Sequence, residues 1–306
     1  MTSGLFTSER IEFHRALINA NAISFTPASS EVKSKFDFIQ IASNADVGQK
    51  SSVRIANALA IKIGIKVGTQ LQVIEKKTAG QTLGDIFEEQ CKNYLIKTFL
   101  HLSHLRPGKW DIRKVGTRNS AVLGAFEQYS HLADLERLSN EHDALRTFLG
   151  EAYTVAPDVI ITRSPEPDEV INGSELLVDT DSCQKAALRE TNHADLKLIL
   201  HASLSCKFTM RSDRSQNSRT EALNLLRTRK GRAPHIIAIT AEPTPARIAS
   251  LALGTGDMDC VYHFALYELR EVLVEQNDES ALDLLDVMIE GKRLKDISDL
   301  PLDLAI

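Results

Sequence analysis

Hydrophobic and polar positions run along this chain with two periods. From 200 to 208 the period is two: Leu200, Ala202, Leu204, Cys206 and Phe208 point one way, and His201, Ser203, Ser205 and Lys207 the other. That alternation predicts a strand with one polar face. Short continuous apolar runs at 155–162 (VAPDVIIT) and 235–240 (HIIAIT) predict two more strands, the first buried on both faces. Pro165 and Pro167 mark a loop after it. Elsewhere the period is helical. Residues 82–104 place Ile86, Phe87, Cys91, Leu95 and Phe99 on one stripe, with Thr82 and Asp85 suited to a capping box and Arg106-Pro-Gly as the stop. Further helices are predicted at 128–149, ending at Gly150, and at 218–230, closed by Gly231. Two amphipathic helices, 259–276 and 280–290, finish the chain. Strands alternating with helices predict an α/β fold around a mostly buried sheet. The first fifty residues carry little pattern.

Composition narrows the class. A chain of 306 residues can bury a large core, as one elaborated domain or two intimate ones. With 43% hydrophobic and 25% charged residues it is neither disordered nor fibrous. Glu9 and Arg10 come early and no long apolar stretch follows, so neither a signal peptide nor a membrane span is expected. Cys91, Cys183, Cys206 and Cys260 are scattered without C-x-x-C spacing, which argues against a zinc cluster or disulfide framework and for a reducing, cytoplasmic setting. Net charge is −5, weakly against nucleic acid, but the charge is unevenly placed. Residues 207–232 hold eight basic and two acidic side chains, whereas 268–306 hold eleven acidic and four basic ones.

The basic segment coincides with the candidate chemistry. Asp158 interrupts an apolar strand, and a buried carboxylate needs a cation or several hydrogen bonds. If its strand neighbours the one carrying Lys207, carboxylate and ammonium could meet a divalent ion and a water at a phosphodiester. The same two residues also suit a structural ion pair. A second acid two residues before the lysine would complete such a strand site, but Ser205 stands there. Glu221 can return a carboxylate to the cleft, or can close a capping box with Ser218; the spacing suits both. Glu88 lies at the edge of its helix's apolar stripe, either at a cleft or flanking the core. Four residues after Lys207 comes Arg211-Ser-Asp213-Arg214, whose side chains suit guanine O6/N7 and cytosine N4, although such strings also form surface ion pairs.

Longer strings carry a family resemblance: GQTLGDIFEEQC, HLRPGKWDIRKVGTRN, APDVIITR, HASLSCKFTMRSDRSQN, GRAPHIIAITAEPTPARIASLALGTG and GKRLKDISDLPLDLA. Over nearly its whole length the chain resembles the NgoMIV-like type II restriction endonucleases, a CCGG-core group of the PD-(D/E)xK superfamily. The resemblance implies a restriction-endonuclease-like α/β fold, a central mixed β-sheet flanked by helices, in a single domain over 1–306 with 1–80 partly a recognition or oligomerisation subregion. It implies a catalytic set of Asp158, Lys207, Glu221, Glu88 and Ser205, the last in the acid's place. Mg²⁺ would be held by the Asp158 side chain and the Cys206 backbone carbonyl. Arg211, Asp213 and Arg214 would read the inner CCGG, Gln81 would approach from the minor groove, and Asp46 and Arg247 would read the outer G·C pair. The implied target is double-stranded GCCGGC, cut after the first G by a homotetramer. The stretch 48–77 aligns poorly. Ser205 keeps a second reading in play, a DNA-binding protein without cleavage; a nuclease of this fold acting on junctions or RNA is a third.

Overall fold

The computed structural model describes residues 3–115, 123–141, 157–193, 195–210, 212–254 and 256–306, without the side chains of 136, 139, 140 and 212–215. The N-terminal third contains α1 (Leu5–Asn19), β1 (Phe25–Pro27), α2 (Ser30–Phe36), β2 (Gln40–Ala42), α3 (Lys50–Val67) and α4 (Gly80–Thr98). β1 and β2 form a small antiparallel ribbon. The remainder runs β3 (Trp110–Lys114), α5 (Ser130–Glu141), β4 (Val159–Arg163), α6 (Asp168–Asn172), β5 (Ile199–Lys207), α7 (Ser212–Thr228), β6 (His235–Thr240) and α8 (Pro245–Ala252). It closes with β7 (Cys260–His263), α9 (Leu266–Glu275), α10 (Glu279–Glu290), β8 (Leu294–Asp296) and α11 (Leu300–Asp303).

Six strands build the main sheet in the order β3-β4-β5-β6-β7-β8. β3, β4 and β5 pair antiparallel, and β5 through β8 pair parallel, so the sheet is mixed and flanked by helices. β5 is the hinge between the two halves. Helices cover both its faces, and its polar positions His201, Ser203 and Ser205 are buried along with its apolar ones. In the parallel half β6 reads as an apolar run for the same reason.

Several predicted boundaries move. The helix expected at 82–104 begins at Gly80 and yields to a 3-10 turn at Phe99–Leu102. Its N-cap is Ala79 without a side-chain cap, so Thr82 lies inside the first turn and the Thr82/Asp85 capping box does not form. The helix expected at 218–230 begins at Ser212. Ser218 is therefore in its interior, cannot serve as an N-cap, and instead bonds Ser205 Oγ at 3.1 Å. Gly231 takes φ +77 beyond the helix, a left-handed conformation that glycine adopts at little cost. The segment expected to be helix from 259 begins as strand β7, because Cys260, Val261, Tyr262 and His263 are all buried between β6 and β8. Beyond α10 the chain adds β8 and α11. The helix predicted at 128–149 is seen as a 3-10 turn and α5, with 142–149 outside the described residues.

Part of the acidic C-terminal segment is neutralised by the N-terminal helices. Arg10 on α1 bridges Glu268 and Asp296, and Lys62 and Lys66 on α3 pair with Glu271 and Glu275. Arg10 is bonded to both buried carboxylates through several N–H groups, which offsets much of their desolvation.

Candidate active site

Asp158 sits one residue ahead of β4, opposite the end of β5 because the strands are antiparallel with Val159 against Leu204. Its backbone still takes part in the ladder, donating to Leu204 O at 3.1 Å and accepting from Val115 N at 3.0 Å. Continuing the register sets Asp158 beside Ser205, and Lys207 is the diagonal neighbour on the same face. The Lys207 ammonium donates to Asp158 Oδ2 at 2.7 Å, and Cys206 N donates to the same oxygen at 2.7 Å. Burial works against the charged lysine, but the adjoining carboxylate outweighs it and raises the Lys207 pKa above its ordinary value. Lys207 is therefore a firmly protonated cation. In a strand, the N–H and C=O of one residue point to the same edge, so the Cys206 carbonyl faces the gap beside Asp158.

Two helices bring further carboxylates to this gap, one from each face of the sheet. Phe87 of α4 is fully buried and meets Phe208 edge-on at 5.7 Å between centroids. Burying that ring contributes about 2–3 kcal/mol and fixes the helix over the end of β5. Its neighbour Glu88 is thereby aimed into the gap, where Lys114 of β3 binds it at 2.8 Å. Burial pushes the Glu88 pKa up, and the Asp158 charge adds to the rise while Lys114 opposes it. On the other face, Ser218 of α7 holds Ser205, and Glu221 lies three residues further along the helix. Glu88, Asp158, Cys206, Lys207, Asn217, Glu221 and Gln81 line one cavity of about 360 Å³. The Asp158–Lys207 convergence required by the sequence reading is thus present.

A second cavity, of about 400 Å³, adjoins the first through Gly80 and Phe208. Asp46 and Arg247 lie in its wall and are joined to each other by a hydrogen-bonded ion pair. Arg247 projects from the first turn of α8, which starts at the C-terminal end of β6, whereas Asp46 follows β2. Residues 201 apart in sequence thus meet in one cleft. Asp213 and Arg214 lie on the first turn of α7, not on a loop, shortly after the end of β5. Arg211 and the side chains of 212–215 lie outside the described residues.

A sequence model of the NgoMIV restriction enzyme family matches residues 13–306. The chain belongs to that family. It is 46% identical over 302 residues to the type II restriction enzyme NgoMIV of Neisseria gonorrhoeae, with 99% of each chain covered. Type II restriction enzymes generally need a divalent metal, and the residues here suit one in a particular way. Among the described residues no three His, Cys, Asp or Glu side chains gather closely enough to cage an ion by themselves. A small hard cation does not require such a cage, since it keeps waters and takes one or two carboxylates plus phosphate oxygens. Asp158, with the neighbouring Cys206 carbonyl, offers oxygen donors of that kind.

Two residues near the family site escaped the sequence reading. Lys114 pairs with Glu88, but the short WDIRK strand holds nothing that marks it out. Glu242 stands behind Arg247 and is wholly buried. A carboxylate at the edge of an apolar run was its available signal, related to the one that exposed Asp158. No helix among the described residues is long and apolar enough to cross a membrane.

Proposed function

We propose that this chain cuts double-stranded DNA at GCCGGC, after the first G of each strand, leaving four-base 5′ overhangs, with Mg²⁺ as its metal. As a member of the NgoMIV restriction enzyme family it is a site-specific deoxyribonuclease. The observation that carries the assignment of its centre is the 2.7 Å contact between Lys207 and Asp158 in a cavity shared with Glu88 and Glu221.

Hydrolysis of a phosphodiester needs a water directed at phosphorus and compensation for the negative charge that accumulates there. Lys207 supplies a fixed cation at that point, oriented by Asp158. Asp158 and the Cys206 carbonyl would hold the metal, which would supply Lewis-acid neutralisation of the phosphate. Glu221 and Glu88 bring carboxylates to either side of the gap, where they accept hydrogen bonds from water. Ser205 stands where a second strand acid would be and is occupied by Ser218. On the recognition side, Arg211, Asp213 and Arg214 read the inner CCGG, Gln81 reaches the minor groove, and Asp46 with Arg247 reads the outer G·C pair. Arginine offers two parallel donors to guanine and aspartate accepts from cytosine N4, so an Asp–Arg couple is chemically matched to a G·C pair.

A palindrome is read by a two-fold assembly, each subunit cutting one strand. The reading is of a homotetramer, two dimers back to back, built from single-domain 1–306 chains in the cytoplasm, with 1–80 partly devoted to recognition or assembly. The test is incubation of a GCCGGC duplex with enzyme and Mg²⁺ beside a duplex with one changed base pair. Cutting confined to the first supports the reading; equal cutting of both, or a gel shift without nicking under any divalent metal, removes it.

A further inference from the structure

Glu242 is fully buried, yet no metal ligation or base contact explains its carboxylate. Its two oxygens serve two backbone segments. Oε2 accepts from Met210 N at 2.8 Å, directly before Arg211, and Oε1 accepts from Thr244 N at 3.2 Å, the N-cap of α8. The carboxylate also stands 3.9 Å from Arg247 Nη1, which donates to Met210 O at 3.3 Å. Glu242 itself is fixed from behind. Its N–H donates to Thr240 Oγ1, and that hydroxyl donates to Lys207 O at 2.8 Å. His263 Nε2–H donates to Glu242 O at 3.1 Å, because Nδ1 is taken by the Ala265 N–H. Asn44, two residues before Asp46, donates to Ala241 O at 2.8 Å.

We propose that Glu242 is a positioning residue for base recognition, holding the Arg247 guanidinium against Asp46 and tying both to the strand that carries Lys207. The inference rests on the reading of Asp46 and Arg247 as the pair that recognises the outer G·C. Arg247 lies between two carboxylates: Asp46, which shares the open cleft, and Glu242, which no solvent reaches. A buried, hydrogen-bonded carboxylate cannot relax away, so it limits the guanidinium to a narrow set of orientations. Glu242→Gln removes the charge and turns an NH₂ group toward one of the two backbone donors, leaving that donor without its acceptor.

The experiment compares cleavage rates on GCCGGC and ACCGGT duplexes for wild type, Glu242→Gln, Arg247→Ala and the double variant, with folding followed by circular dichroism. The expected result is a loss of outer-pair discrimination in Glu242→Gln of about ten- to hundredfold, the range for a charge-assisted hydrogen bond. In the Arg247→Ala background the same change should cost nothing further. Undiminished discrimination in folded Glu242→Gln overturns the proposal, as does a loss that simply adds to that of Arg247→Ala. If Glu242→Gln does not fold at the assay temperature, Glu242→Asp, with its charge one methylene short, takes its place under the same criteria. A wild-type enzyme that cuts both duplexes equally removes the outer-pair reading and this inference together, a result distinct from a discriminating wild type with an equally discriminating variant.

Discussion

Lys207→Ala isolates the charge that the proposed mechanism assigns to hydrolysis. The ammonium lies 2.7 Å from Asp158 Oδ2 in a cleft where its side chain is 18% exposed. A unit charge about 4 Å from the reacting phosphate, at an effective dielectric constant of about 20, is worth about 4 kcal/mol. Since about 1.4 kcal/mol is tenfold in rate, removing it should slow the chemical step by about a thousandfold. Loss of one donor to a developing oxyanion costs about 10²–10³ in other enzymes, a range whose upper end meets this value. The fold should survive, because Asp158 keeps the Cys206 N–H and both strands keep their ladders. Metal binding should survive as well, since removing a cation beside Asp158 makes the gap more negative. The assay is single-turnover cleavage of GCCGGC with enzyme in excess, alongside gel-shift binding of the same duplex with Ca²⁺ in place of Mg²⁺. Cleavage within about tenfold of wild type would refute the electrostatic argument. Parallel loss of specific binding would show instead that the lysine supports the recognition surface.

Phe87→Ala should cost about 3–5 kcal/mol in urea unfolding and also slow cleavage by releasing Glu88 from its place; a change under about 1 kcal/mol would contradict the packing account. Arg10→Ala leaves two buried carboxylates without their cation, so a loss of about 3–5 kcal/mol is expected, little altered by salt. Stability below neutral pH follows the buried histidines. Burial lowers the pKa of His14 and His263 from 6.5 to about 4, and that of His201 to about 3. The unfolded chain therefore takes up protons first as pH falls, so stability is full above pH 6.5 and is lost from 6.5 down to about 4 for His14 and His263 and about 3 for His201, by on the order of 3 kcal/mol or more per histidine. Burial alone would raise the Glu268 pKa, but Arg10 takes it down to about 2, adding a loss from pH 4.5 downward. Denaturant titrations at pH 7, 6 and 5 check the sign: stability that holds constant across them would exclude neutral buried histidines.

The strands were legible where one rule governed them. The run 235–240 became β6 with the same ends, because an apolar segment in the parallel half has sheet neighbours on both edges and helices on both faces. The 200–208 alternation located β5 within one residue, yet its polar side proved to be buried under helices. Helix starts were less legible. Ser218-Arg-Thr-Glu221 has the spacing of a capping box, but α7 starts six residues earlier, and Ser218 is used to hold Ser205. Residues 259–263 continue a helical pattern in sequence, and the strand they form depends on β6 and β8 lying either side.

The chain's own residues determined the alternation of strands and helices, the family, and the residue types available for cutting and reading DNA. Those properties follow from local periodicity and from side-chain chemistry, both written one residue after another. What only the tertiary structure decided is which groups meet. Asp158 reaches Lys207 because antiparallel register brings residues 49 apart into one cleft, Asp46 reaches Arg247 across 201 residues, and Glu242 reaches the Met210 amide across 32. Ion pairing and hydrogen bonding act over a few ångströms of space, and separation along the chain does not measure that distance.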